Sequence, residues 1–161
     1  MPVPRCRLHH YRFRDVWLLD APPAHVYAVL ERPETYPRWW PQVRAVETRD
    51  GSHGAARFRS VLPYELHVTA RETRRDPVAG VLEVAMRGDL DGWARWTVGA
   101  LGRGTRAVFE QEVVVRKPSM RRLAVPGRPL FRANHALMMR AGRRGLTSWL
   151  AGDAAGREGA E

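Results

Sequence analysis

Apolar and polar residues alternate with period two from Tyr11 to Asp20. Tyr11, Phe13, Asp15, Trp17 and Leu19 fall on one side; Arg12, Arg14, Val16 and Leu18 fall on the other. Such alternation with aromatics predicts a strand. Asp20 then precedes Ala21-Pro22-Pro23, and proline suits the first turn of a helix. Val26, Tyr27 and Leu30 form the stripe of a short helix that Pro33 ends. From Glu34 to Val43, Tyr36, Trp39 and Trp40 sit between Pro37 and Pro41. That punctuation predicts a second short helix or turn that lays two indoles against another element.

Val43 to Val115 reads as successive strands. Turn signals recur at Asp50-Gly51, Asp76-Pro77 with Gly80, Asp91-Gly92 and Gly102 to Gly104. They bound β-type runs at Ala55–Leu62, Tyr64–Arg74, Val81–Arg87, Trp93–Leu101 and Thr105–Val115. Pro63 marks a bend, bulge or edge between two of them. Short turns between consecutive strands predict an antiparallel meander. Lys117 to Pro129 is expected to be a loop. Leu130 to Leu150 is strongly helical, with Phe131, Asn134, His135, Met138, Gly142, Gly145, Leu146 and Trp149 on one face. After Ala151 nothing remains to bury, and a frayed tail is expected.

A sheet with one apolar face must have that face covered, and the last helix is the element long enough to do so. Twist and bulges curve such a sheet. A helix laid across it leaves a wedge-shaped space, the natural place for a ligand. The predicted class is α+β, a helix-grip fold. A curved antiparallel sheet of about seven strands, two short helices and a long C-terminal helix enclose a cavity. The expected organisation is a basic tail over 1–10, one domain over 11–151 and a disordered tail over 152–161.

Composition agrees with one globular domain: 161 residues, 44% of them hydrophobic. No apolar run reaches the ~18 residues of a membrane span, and the basic N-terminus is followed by no apolar signal region. A single cysteine, Cys6, forms no internal disulfide and fits a reducing, cytoplasmic setting. The net charge is +10, and of the 27 basic residues only Lys117 is lysine. The charges extend from Arg5 to Arg157, densest at Arg71, Arg74 and Arg75 and at Arg140, Arg143 and Arg144. A basic surface attracts nucleic acid or anionic lipid without sequence preference. No zinc spacing, RNP motif or recognition helix accompanies the charge, so nucleic acid is not the expected partner.

Several motifs, in order, resemble the START-like (SRPBCC) superfamily, and within it the polyketide cyclase/dehydrase-like subgroup. They are Leu19-Asp20-Ala21-Pro22-Pro23-Ala24-His25-Val26-Tyr27, Tyr36-Pro37-Arg38-Trp39-Trp40-Pro41, Leu62-Pro63-Tyr64-Glu65-Leu66, Gly88-Asp89-Leu90-Asp91-Gly92 with Arg95-Trp96, and Lys117-Pro118 followed by Arg128-Pro129-Leu130-Phe131-Arg132-Ala133-Asn134-His135. The resemblance spans residues 11 to 150. It implies the helix-grip fold and a hydrophobic cavity. Members of the subgroup tend to carry an aromatic residue where Ser119 and Ala133 stand, which implies a roomier pocket near the start of the last helix.

Few residues are candidates for chemistry. The histidines at 9, 10, 25, 53, 67 and 135 show no metal-ligand spacing, and no metal site is expected. Phosphate-loop, dinucleotide and nucleophile-elbow motifs are also missing, so no cofactor is expected. Asn134 and His135 would face the cavity from the last helix. His135 serves as a proton shuttle there, or both residues tie the helix down. Tyr64 shares a strand face with Leu66 and Val68, and either orients a ligand carbonyl or fills space. Tyr64 and His135 are therefore the catalytic candidates. Trp39, Trp40, Ser60, Leu66, Met86, Trp96, Phe109, Gln111, Phe131, Asn134 and Met138 are the candidate walls. Asp15, Ser60 and Gln111 point inward among apolar residues and need partners; Arg57 or Arg95 could reach across to Asp15, although strand parity does not favour them.

Three functions remain open at this point. One is a cofactor-independent cyclase, aromatase or dehydratase acting on a small hydrophobic or aromatic molecule. Another is a non-catalytic carrier or sensor of a lipid, quinone or isoprenoid. The third is a nucleic-acid- or ribosome-associated basic protein. A monomer or homodimer is compatible with each.

Overall fold

The computed structural model describes residues 9–59, 65–122 and 127–159. The chain enters on strand β1 (His10–Leu19), turns through α1 (Pro23–Leu30), a 3-10 turn (Pro33–Thr35) and α2 (Tyr36–Trp39), and then runs through six strands. These are β2 (Val43–Asp50), β3 (His53–Arg59), β4 (Glu65–Asp76), β5 (Val81–Gly88), β6 (Leu90–Leu101) and β7 (Gly104–Val115). A short helix α3 (Pro118–Arg121) precedes the long α4 (Arg128–Glu158).

The described strands form one antiparallel sheet in the order β1-β7-β6-β5-β4-β3-β2. The first strand thus closes against the last, and β1 and β2 are the edges. Tyr11 pairs with Val113, Phe13 with Gln111 and Asp15 with Phe109. On the next strand Val113 pairs with Gly92, Gln111 with Ala94 and Phe109 with Trp96. The predicted inward face of β1 is therefore continuous with those of β7 and β6. β2 and β4 each carry register shifts, β4 between Glu72 and Arg74. Such bulges bend a strand and deepen the curl of the sheet.

The tight connections follow from their residues. Asp50 Oδ1 accepts the backbone N–H groups of Ser52 and His53 at 3.0 and 2.9 Å, closing the β2–β3 turn. Gly80 has φ of +70°, and a Cβ there would stand 2.0 Å from the Val98 carbonyl oxygen. The β4–β5 turn therefore requires glycine on both conformational and steric grounds.

Two segments differ from the sequence expectation. Within the expected loop of Lys117 to Pro129, Pro118 opens a helical turn, its fixed φ suiting the first helical position. The tail expected to fray after Ala151 stays helical to Glu158. Its residues are exposed, but Ala, Arg and Glu propagate a helix already nucleated by the packed turns before them.

α4 lies across the concave face. It buries Phe131, Met139, Gly142, Leu146 and Leu150 against the sheet and α2. One hydrophobic cluster joins Trp17, Trp39, Trp40, Val26, Leu30, Trp96, Met139 and Leu146. A second joins Tyr11, Val68, Met86, Val113, Met120 and Phe131. This is the helix-grip arrangement, and the space between sheet and helix is its cavity.

Candidate functional site

The cavity measures about 270 Å³, near the lower end of ligand pockets (~300–1,000 Å³). Its wall is overwhelmingly apolar. Phe58, Leu66, Val84, Met86, Ala94 and Trp96 line the sheet side, while Phe131 and Met138 line the helix side. The small side chains Ala56, Ala70 and Ala94 keep the sheet side open. Polar residues border it at a few points only: Gln111, Asn134, His135 and Tyr36, with Glu72 and Arg74 on β4; Glu83 also borders it, but its carboxylate binds Arg95 on the other face.

His135 is the most unusual of these groups. Its ring stacks on Phe13 with centroids 3.7 Å apart and planes within 8°. Phe109 lies 6.2 Å away on the same run of rings. Nδ1 faces the Asp15 carboxylate at 3.8 Å, beyond direct hydrogen-bond reach. Nε2 is buried and has no hydrogen-bond partner among the described residues. Burial among aromatic rings lowers the imidazole pKa to about 4. The ring is therefore neutral at physiological pH. Burial also raises the pKa of Asp15.

Gln111 is equally poorly satisfied. It is buried, and its amide Nε2 donates to the Met86 thioether at 3.6 Å, a weak acceptor. Across the sheet it pairs with Phe13, the residue under His135. Asn134 is half-buried and makes no side-chain hydrogen bond among the described residues. Tyr36 is already committed, since its hydroxyl donates to the Leu30 carbonyl at 2.7 Å. Burial holds its pKa above the ordinary phenol value.

Most of the sequence candidates converge on this cavity. Trp40, Leu66, Met86, Trp96, Phe109, Gln111, Phe131, Asn134, His135 and Met138 all line it. Trp39 does not. One residue further round the α2 turn, Trp40 faces the cavity and donates its Nε1–H to the Met138 carbonyl at 2.9 Å. Trp39 is instead buried beside α4, with its backbone against Gly145. Ser60 and Tyr64 lie outside the described residues. Ser119 and Ala133 are exposed and do not line the cavity, so small residues there do not enlarge it.

Asp15 lies on the inward face as its parity predicts, and neither arginine, both disfavoured by parity, is its ion-pair partner. Arg95 belongs to the opposite face, where it binds Glu83 at 2.6 Å and stacks on Trp93. Asp15 meets His135, a contact between β1 and α4 that strand parity cannot reveal. Tyr11, Phe13, Tyr36 and Phe58 also line the cavity, although none is among the sequence candidates. The period-two pattern of β1 marks Tyr11 and Phe13 as inward and is the signal that finds them. Among the described residues no cluster of metal-ligating side chains occurs, and no helix is long and apolar enough to cross a membrane.

Residues 19–138 match the family described as polyketide cyclase / dehydrase and lipid transport. The chain belongs to that family. Solved structures agree on the fold. The Thermus thermophilus protein TTHA0849 superposes with a TM-score of 0.75 at 18% identity, covering 89% of this chain and 99% of that one. The Zhui aromatase/cyclase of a Streptomyces species gives 0.72 at 17% identity, covering 89% and 94%. A START superfamily protein of Mycobacterium smegmatis gives 0.68 at 15% identity, covering 87% and 97%. No curated protein matches the chain in sequence. The START-like resemblance carried by the motifs is therefore upheld both by the family match and by the fold.

Proposed function

We propose that this polyketide cyclase/dehydrase family member binds a small hydrophobic or aromatic molecule with a carbonyl or hydroxyl group, and promotes proton transfer on it. The observation that carries this reading is the buried, neutral His135 with an unpaired Nε2 on the wall of an apolar cavity. A neutral imidazole accepts a proton at Nε2 when Nδ1 carries the hydrogen, and the Asp15 carboxylate beside Nδ1 favours that tautomer. Asp15 is thus a positioning residue. Gln111 would hold a ligand oxygen by its under-used amide, and the aromatic run would stack on flat rings.

Aldol cyclisation, dehydration and aromatisation of a poly-β-keto chain suit such a site. Each needs a flexible chain held in one conformation and protons moved between carbon and oxygen. The same apolar wall also fits a carrier of a lipid, quinone or isoprenoid, which works by burial alone. The two readings separate at His135, which a carrier has no need to leave unpaired.

The test of the cavity is native mass spectrometry of the protein as purified, followed by incubation with a poly-β-ketone. A bound apolar molecule and conversion of the ketone are expected. Ala94 sits on the sheet side between Val84 and Gln111, so Ala94→Phe places a ring in the space a ligand needs. Occupancy is expected to fall by roughly tenfold or more, equivalent to at least ~1.4 kcal/mol. Retention without conversion favours the carrier. Unchanged occupancy in Ala94→Phe, with the variant folded, removes the cavity as the binding site.

A further inference from the structure

Nearly all of the net charge resides in one segment. From residue 113 to 152 the chain has nine basic residues and no aspartate or glutamate, so this segment carries nine of the ten net positive charges. Arg116 and Lys117 are offset by Asp91 and Asp89 on the adjoining loop and strand. The others belong to α3, its C-cap and α4: Arg121, Arg122, Arg128, Arg132, Arg140, Arg143 and Arg144. Elsewhere the exposed arginines of the sheet are frequently matched: Arg12 with Glu112, Arg74 with Asp76, Arg75 with Glu72 and Glu31. Arg132, Arg140, Arg143 and Arg144 make no ion pair among the described residues.

The face that carries Arg140 and Arg144 is also partly apolar. Leu130 and Leu137 are 50% and 49% exposed, two turns apart on one stripe. The stripe continues through Ala133, Arg140 and Arg144 by three-and-four spacing. Arginine interleaved with exposed leucine suits a surface with phosphates outside and hydrocarbon just beneath. Nucleic acid would satisfy the arginines and leave the leucines in water. The reverse side of the same segment supplies Met120, Phe131, Asn134, His135 and Met138 to the cavity wall. The basic face and the cavity are therefore two sides of one element.

We propose that the outer face of α4, with the adjoining arginines of α3, docks on an anionic lipid bilayer. Docking stands on charge and exposure and does not require the catalytic reading. That the cavity collects its apolar ligand at that surface does rest on the cavity reading.

The experiment is co-sedimentation of the full chain with phosphatidylglycerol/phosphatidylcholine vesicles and with phosphatidylcholine vesicles alone, plus retention on polyuridylate at the same ionic strength. Of the two vesicle types, binding is expected to the anionic one only, and to fall with salt. A basic residue near an anionic surface is worth ~1 kcal/mol, about fivefold. Arg140→Ala with Arg144→Ala should therefore weaken binding about thirtyfold. Leu130→Ser with Leu137→Ser should weaken vesicle binding and leave polyuridylate retention unchanged. All four side chains are on the outer face, so a far-ultraviolet spectrum like that of the parent is expected of both variants. Equal binding to neutral vesicles, no binding to either, or tighter retention on polyuridylate that ignores the leucines would each overturn the proposal. The last outcome would identify a nucleic-acid surface instead. Because ligand occupancy is read separately by mass spectrometry, failure here leaves the cavity reading intact, and failure there leaves the docking surface intact.

Discussion

Gly145→Ala is expected to unfold the grip of the helix on the sheet. An ideal Cβ at residue 145 would lie 1.6 Å from the Trp39 carbonyl oxygen and 2.8 Å from its carbon. The obstacle is backbone, so no rotamer change relieves it. α4 must lift from α2, and the layer formed by Trp39, Trp40, Met139 and Leu146 opens with it. Overpacking of this kind costs ~1–3 kcal/mol and occasionally more, and here the upper end or beyond is expected. For a domain of this size each kcal/mol lowers Tm by ~2–4 °C, so a drop of about 10 °C is the expected calorimetric result. Gly142→Ala meets side chains instead: Trp40 Cε2 at 2.5 Å and Trp17 Cη2 at 2.9 Å. Indoles can shift, so its cost should be smaller. Gly152→Ala has nothing within 4 Å and should stabilise by ~0.5–1 kcal/mol, the ordinary gain of alanine over glycine in a helix. A Gly145→Ala protein that melts with the parent would show that α4 and α2 are not in contact at that point.

The surroundings of the three helical glycines are only partly legible in the sequence. Periodicity places Gly142 and Gly145 on the inner face with Phe131, Met138 and Leu146, because helical phase is local. It cannot say that one glycine faces a carbonyl and the other two indoles, since that depends on where α2 docks. The same division holds at the site. Parity along β1 and β6 sends Tyr11, Phe13, Asp15, Trp17 and Trp96 inward, and each lies there. For Asp15 a sequence argument looks to arginines, because a charge suggests an opposite charge. The nearer group is an imidazole on an element more than a hundred residues away in sequence. Trp39 and Trp40 are adjacent in sequence, yet the end of α2 aims them in different directions, and of the two only Trp40 reaches the cavity. The spread of arginines along the chain conceals the charge asymmetry until the acidic residues are placed beside them: their absence over 113–152 makes that segment cationic.

His135→Gln is expected to change both the acid stability and the chemistry of the protein. The unfolded chain binds a proton at this residue below pH ~6.5, whereas burial holds the folded pKa at about 4. As pH falls from 6.5 towards 4, the unfolded state therefore takes up a proton that the folded state does not, and stability falls with it. The full cost is about 3 kcal/mol, reached near pH 4 and constant below. Asp15 acts with the opposite sign. Its folded pKa is raised by burial, so its contribution favours the folded state below the unfolded carboxyl pKa and is lost as pH rises through the folded value. It offsets part of the histidine term at the acid end only. Glutamine has similar reach and no titration, so Tm measured from pH 7 to 5 should lose most of its slope in the variant; below that range Asp50, Asp76, Glu83 and Glu112, all held below the ordinary carboxylate pKa, add an acid loss common to both proteins. Equal slopes in the two proteins would place the His135 ring in water instead of against Phe13. If Nε2 takes the substrate proton, turnover of a poly-β-ketone should fall ~10²–10⁴-fold, the usual worth of a general base, while occupancy of the cavity survives. Asp15→Asn should lower turnover less and alter its pH profile, because it removes the charge that fixes the tautomer and leaves the ring that reacts. Full turnover in His135→Gln would leave the cavity a binding site and its unpaired nitrogen a feature of packing.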